Sequence, residues 1–540
     1  MRNLVFLFFV FTSVQAQDFS LRDTLRGALS PERTWFDVNY YHLSIDLEVE
    51  TKSISGFNDI GFTVLSDSSV MQLDLFENLS VDSVIYEGTL CDVSRKYDAF
   101  FVDLPFGLKV GDHKTLRVYY HGKPIVAKNA PWDGGFVWKN DPQGLPWIGV
   151  ACQGLGASSW WPCKDHLSDE PDSMRITCSV PKEVQFVGNG NLESDFIYDD
   201  KRVSTWKVSY PINTYNVTLN IADYSHLEDV YISNSETLAL DYYVLKGNEE
   251  KAIKQFAQVK PMLAVYEDLF GLYPFWNDGY ALVETPYLGM EHQSAIAYGN
   301  KYKSGYLGRY PGEMDFDFIV IHESGHEYWG NSVSMNDVAD MWIHESFCTY
   351  TEALYVEQVY GYNSMLEYML YQKDFISGRS PILGVHGVNN KGNSTDMYYK
   401  GSWMLHSIRN TLNNDSLWFS IVKDIAQDFE LKNCDGTEII EHMCSKSGLD
   451  LKPIFQQFLV HANLPVLSYK FKNKRGKLEL YYKWEAAEVN FNMPIEISVG
   501  NTEKFRIFPN SNYQSVHLGN TDKKRVKFSE ELFLFEKKED

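Results

Sequence analysis

Basic residues are the scarce class in this 540-residue chain: 49 Lys and Arg stand against 72 Asp and Glu, a net charge of −23. Phosphate contacts need clustered Lys and Arg, so a nucleic-acid-binding role is excluded. Cysteine is sparse too, with seven residues: Cys91, Cys152, Cys163, Cys178, Cys348, Cys434 and Cys444. That is too few for a disulfide scaffold, and the odd count leaves at least one thiol unpaired within the chain. A mostly reduced, buried set is expected, and no CxxC spacing suggests a second metal site. Long hydrophobic runs are missing as well. Leu4 to Phe11 is an apolar run of eight residues, far short of the ~20 that a membrane-spanning helix takes. Internal repeats, low-complexity tracts and long linkers are also absent.

What is present begins with that short run. Arg2 precedes it, and Val14 and Ala16 stand at −3 and −1 of a cleavage site before Gln17. This is the pattern of a secretory signal peptide over residues 1–16, so a periplasmic or extracellular location is expected. Leu43, Ile45, Leu47 and Val49 then alternate with polar residues, and Ile60, Phe62 and Val64 repeat the period. Period two is the mark of a half-buried strand, so residues 17–230 are read as an antiparallel β domain. From Glu249 to Leu269 the period becomes helical, through Ile253, Phe256, Val259, Leu263 and Tyr266. Residues 231–460 are read as mainly helical, with loops around 272–313 and 378–400. Alternation returns at Leu478, Leu480 and Tyr482 and at Ile495, Ile497 and Val499, giving a small β domain over 461–540.

The chemistry is concentrated in HESGHEYWGNSVSMNDVADMWIHES, His322 to Ser346. Met314 to Trp329 reads as a buried helix. Four residues make slightly more than one helical turn, so His322 and His326 project from one face, close enough to share a metal. Glu323 lies beside that line, where a base can hold a water. Gly330 and Asn331 end the helix, and Asp337 or Asp340 can cap a second one that carries Glu345 and Glu352. Two imidazoles and the Glu345 carboxylate leave a fourth position open, the arrangement of a catalytic rather than a structural zinc. Glu352 lies two turns beyond Glu345 and is placed to orient a ligand.

At this point the chain resembles the M1 family of zinc aminopeptidases, which includes aminopeptidase N and leukotriene A4 hydrolase. The family signature is HExxH, eighteen residues, then Glu within WLNEGF; here Trp342 to Phe347 reads WIHESF, with His344 and Ser346 as departures. The family's GxMEN reads Gly289-Met290-Glu291-His292, and the resemblance implies that this strand lies along the substrate while Glu291 grips its free α-amine. The family's YxKG falls on Tyr398, Lys400 and Gly401, implying a transition-state role for Tyr398, with Tyr399 read as packing. In CQGLGASSWWPCKD, Gln153 matches a substrate-binding Gln, and Pro162, Cys163 and Asp165 match a structural segment.

The resemblance implies a multidomain α+β fold: a saddle-like N-terminal β domain, a thermolysin-like catalytic domain and a small C-terminal β domain. The large helical C-terminal domain of many relatives is not expected. The expected activity is zinc-dependent removal of the first residue from peptides with a free N-terminus, with one Zn2+ per chain. His322, His326 and Glu345 hold the metal, Glu323 and Tyr398 catalyse, and Gln153, Gly289, Met290 and Glu291 bind substrate. Two alternatives remain: hydrolysis of another small substrate such as an epoxide on the same site, or a non-catalytic peptide-binding protein of this fold. The second predicts losses at Glu323 or Tyr398, and both are present.

Overall fold

The computed structural model describes residues 19–105, 108–234, 236–389, 395–500 and 503–540. The leader expected at 1–16 lies outside them. The first half is β-rich. An eight-stranded sheet has Phe36–Glu48 at its middle, paired antiparallel with Ser53–Val64 and parallel with Ser173–Pro181. The alternation seen in sequence is realised directly: Leu43, Ile45 and Leu47 face a core with Trp160 and Trp161, while the residues between them face outward.

A five-stranded sheet begins the second half. Its order is Tyr224–Ser233, Glu236–Leu245, Tyr280–Glu284, Ile296–Tyr298 and Gly289–Met290. The boundary expected after residue 230 therefore falls inside a strand that belongs to this sheet. The region expected as loop, 272–313, supplies three of the five strands. They are too short, and too completely buried, to show alternation.

The helical expectations are met with shifted ends. Glu249 to Leu269 is broken into Glu249–Phe256 and Val259–Phe270. Pro261 explains the break: it has no N–H to continue the hydrogen-bond ladder but is tolerated in a first turn. Ile253 lies on the outer face of the first helix, at 63% exposure, opposite to the expectation of a buried position. The helix expected over Met314–Trp329 is shorter, Phe318–Gly325, because the Asp317 carboxylate caps it by accepting from the N–H groups of Ile319 and Val320. The last strands do not form a core of their own. Leu467, Leu480, Trp484 and Phe535 join the same apolar cluster as the helices. All seven cysteines are unpaired, five of them buried.

Candidate metal and peptide site

The Phe318–Gly325 helix is short but firmly rooted. Asp317, which caps it, also accepts from Tyr298 Oη, Gln255 Nε2 and Asn300 Nδ2, each at 2.7 Å. His326 lies at the C-terminal cap, one turn after His322. The helix Trp342–Tyr360 packs alongside and brings up Glu345 in its first turn. Asp337 caps only a short 3-10 turn, Val338–Asp340, ahead of it, and Asp340 instead accepts from the Trp342 indole N–H. Neither residue caps the longer helix directly.

Three donor atoms converge here. His322 Nε2 and His326 Nε2 are 3.2 Å apart, and Glu345 Oε2 lies 3.6 and 3.4 Å from them. The other imidazole nitrogens are committed. His322 Nδ1 donates to Glu352 Oε1 at 2.6 Å, and His326 Nδ1 donates to the Trp329 carbonyl at 2.8 Å. Both Nε2 atoms are thus left with lone pairs, and Glu345 Oε2 is buried without a hydrogen-bond partner. Three acceptors facing one another repel unless a cation, a proton or a metal ion, sits between them. Tetrahedral zinc with bonds of ~2.0–2.2 Å separates its ligands by about this much. Cys348 also lies close to both histidines, but its thiol donates to the His322 carbonyl at 2.8 Å. The three donors fit a zinc ion, and Glu352, which orients His322 through Nδ1, is itself held by Tyr368 Oη.

Around these ligands the structure brings together the candidate metal, catalytic and substrate residues named from sequence. Glu323, His322, His326, Glu345, Gln153, Gly289, Met290, Glu291 and Tyr398 all line one cavity of about 420 Å³. Burial pushes the Glu323 carboxyl up to about 7. Gly289 is close enough to the zinc helix that a Cβ there would lie 2.7 Å from Glu323 Oε1, so only glycine lets this edge strand approach. Tyr398 Oη donates to Glu345 Oε1 at 3.2 Å. Its neighbour Tyr399 lines the same cavity and packs on Phe375, with ring centroids 5.1 Å apart. Ser346, a departure from the family pattern, donates to the Met397 carbonyl just before Tyr398. A Cβ on Gly401 would meet Ser346 Oγ at 1.9 Å, so the two positions depend on each other.

Glu291 is held by groups that the sequence did not all reveal. Gln153 Nε2 donates to its Oε1 at 2.6 Å, and Tyr215 Oη donates to the same atom at 3.1 Å. His344, the other departure, explains Tyr215. Its Nε2 accepts from the Met335 N–H at 3.0 Å, so its Nδ1 carries the proton and donates to Tyr215 Oη at 3.3 Å. Burial pushes the His344 imidazole down to about 3, which keeps it neutral in this role. Nothing near Tyr215 in sequence marks it; only the fold places it. His292 is fully buried, and neither of its ring nitrogens has a partner among the described residues.

A HExxH helix, a carboxylate from the next helix and an edge strand beside them are the parts that metal-assisted hydrolysis of a peptide needs. Residues 255–458 match the model of the peptidase family M1 domain. Among curated proteins the chain is 21% identical to a leucyl aminopeptidase of Saccharolobus solfataricus, over 82% of this chain and 56% of that one. It is 23% identical to a leukotriene A-4 hydrolase of Xenopus laevis, over 62% and 53% respectively. The chain therefore spans about half the length of these relatives. Among solved structures it superposes on an M1 zinc metallopeptidase of Deinococcus radiodurans with a TM-score of 0.67, at 20% identity, over 83% of this chain and 98% of that one. A mutant of that metallopeptidase has been solved with a Tyr-Ser-Ala substrate bound.

Proposed function

We propose that this chain is an aminopeptidase that removes the first residue of peptides. The observation that carries this reading is the buried carboxylate of Glu291, held by Gln153 and Tyr215 and lining the same cavity as the zinc ligands. His322, His326 and Glu345 would hold a zinc ion, whose Lewis acidity would polarise a carbonyl and make a water proton easier to lose near neutral pH. Glu323 takes that proton and returns it to the leaving amine. Tyr398 donates a hydrogen bond to the oxygen that becomes negative. Gly289–Met290 is an edge strand bonded on one side to Ile296–Tyr298, so an extended peptide can add to its free side. Glu291 then meets the α-ammonium and sets the cut one residue from the chain end.

The same reading takes the N-terminal sheets as saddle-like and the helical part as thermolysin-like, a layout supported by the Deinococcus superposition. It also takes the chain as exported, on the strength of residues 1–16 alone.

The test is kinetic. Amino-acid anilides should be cleaved, a chelator should abolish cleavage, and zinc should restore it. A free α-amine has a pKa of ~7.7–8 and is largely cationic at neutral pH, so N-acetylated analogues should be poor substrates. Equal cleavage of acetylated and free substrates would remove Glu291 from its assigned role, and full activity without metal would remove the zinc.

A further inference from the structure

We infer that Arg309 is a carboxylate anchor at the mouth of the cavity, selecting peptides that carry a free carboxylate just beyond the cleaved bond. The inference rests on the aminopeptidase reading above and adds a substrate class to it.

Four carboxylates line the cavity, Glu291, Glu323, Glu345 and Glu352, and among the described residues Arg309 is its only Lys or Arg. The buried arginines Arg26, Arg33 and Arg409 are matched with Asp165, Asp74 and Glu357. The Arg309 guanidinium has no ion pair or hydrogen bond among the described residues. An exposed, unpaired arginine is by itself unremarkable; this one is mounted on a rigid support. Tyr306 N donates to Arg309 O at 2.9 Å and Arg309 N to Tyr306 O at 3.0 Å, closing a two-residue turn. Leu307 and Gly308 form it at φ +52° and +91°, the pattern of a type I′ hairpin. Buried Asn300 ties the turn down, donating to Gly305 O and to Asp317 Oδ1 while accepting from Leu307 N. The residue that caps the zinc helix thus also braces the turn.

The turn stands on the His322 side of the metal ligands. Tyr306 packs edge-on against Phe318 at 5.4 Å, and Phe318 stacks on the His322 ring at 5.3 Å. Glu291 lies instead with His326 and Glu323. The cavity therefore has an acidic pole for an ammonium and a separate basic pole. A peptide carboxylate entering among four glutamates meets repulsion unless a cation receives it. Guanidinium suits that task, because its planar fork pairs with a carboxylate through two parallel hydrogen bonds. The carboxylate can be the C-terminus of a short peptide or an acidic side chain of its second residue.

The test compares three substrates with one first residue: alanylalanine, alanylalanine amide, and alanyl-aspartic acid with its α-carboxyl amidated. Charge-assisted pairing at an exposed site is worth on the order of tenfold. For the native enzyme the kcat/KM ratio of at least one carboxylate-bearing substrate to alanylalanine amide should be about ten, mostly in KM. It should fall to about one in Arg309→Ala, stay between in Arg309→Lys, and shrink as salt is raised. An Arg309-dependent advantage for the aspartyl substrate assigns the carboxylate to the side chain; one for alanylalanine alone assigns it to the C-terminus. Either outcome supports the anchor. Equal cleavage of all three substrates by the native enzyme, or an advantage of a carboxylate-bearing substrate that Arg309→Ala leaves unchanged, overturns it. Failure of the aminopeptidase reading is separate: the native enzyme would then cleave none of the three.

Discussion

Tyr398 tests whether single atoms of the site have been placed correctly. Its hydroxyl donates to Glu345 and lines the cavity, whereas Tyr399 lines the same cavity but stacks on Phe375. A phenol aimed at a developing oxyanion stabilises the transition state more than the substrate, so its loss should fall on kcat. Tyr398→Phe should lower kcat by ~10²–10³ while leaving zinc content and fold unchanged. Tyr399→Phe should be far milder. Steady-state rates and metal analysis on both variants decide the register, and the reverse pattern would shift it by one residue. At this scale the sequence was informative because ligand chemistry leaves fixed spacings: His322, His326 and Glu345 could be read without coordinates. Tyr215 could not, since it reaches Glu291 from 76 residues away through a fold that no local spacing encodes.

Between elements, the helices that carry the site are joined by an ion cluster around a buried arginine. Arg409, on Tyr399–Leu412, is 2% exposed and donates to both oxygens of Glu357 on the Trp342–Tyr360 helix, at 2.5 and 2.8 Å. It also donates to Asp415, the first residue of Asp415–Asp428, at 2.9 Å. Removing one partner of a fully buried pair costs ~3–5 kcal/mol, but Glu357 keeps 13% and Asp415 61% side-chain exposure, so the loss here should be nearer ~2 kcal/mol. Arg409→Ala should destabilise by about that much, read as a lower urea midpoint, and Arg409→Lys should recover only part of it because an ammonium cannot span both oxygens. A midpoint within experimental error of the native one for Arg409→Ala would show that the cluster is not holding these helices. Helix identity was legible from the apolar period, but helix ends were not. Asp317 and Pro261 set the real limits through one cap and one missing N–H, signals that a periodic pattern averages away. The short strands of 280–298 were hidden for the opposite reason: full burial on both faces erases alternation.

Across the whole molecule, the site is shared by two apolar cores. Gln153 and Tyr215 come from the β-rich half and the zinc ligands from the helical half, so the joint between the halves governs the cavity. Asp278 is part of that joint. It is 3% exposed, precedes the strand Tyr280–Glu284, and accepts from Ser209 N with both oxygens, at 3.0 and 2.9 Å. Ser209 follows the last residue of Lys201–Val208 in the large sheet. Burial pushes the Asp278 carboxyl up to about 6 from an ordinary 3.8, against the opposing pull of the Ser209 hydrogen bonds. The sign follows from linkage. Below pH 3.8 both folded and unfolded chains are protonated here, and the group adds no pH dependence. Between 3.8 and about 6 the unfolded chain releases this proton while the folded chain keeps it, so stability falls as pH rises. Above 6 both are ionised and the penalty is constant, on the order of 3 kcal/mol at about 1.4 kcal/mol per unit. Asp278→Asn cannot ionise and retains a carbonyl acceptor for Ser209. The native protein should therefore lose urea resistance relative to this variant as pH is raised from 4 to 6, with the gap constant above that. A gap that stays flat from pH 4 to 7 would mean that Asp278 is ionised in the folded protein, and that the joint is more open to water than the structure shows.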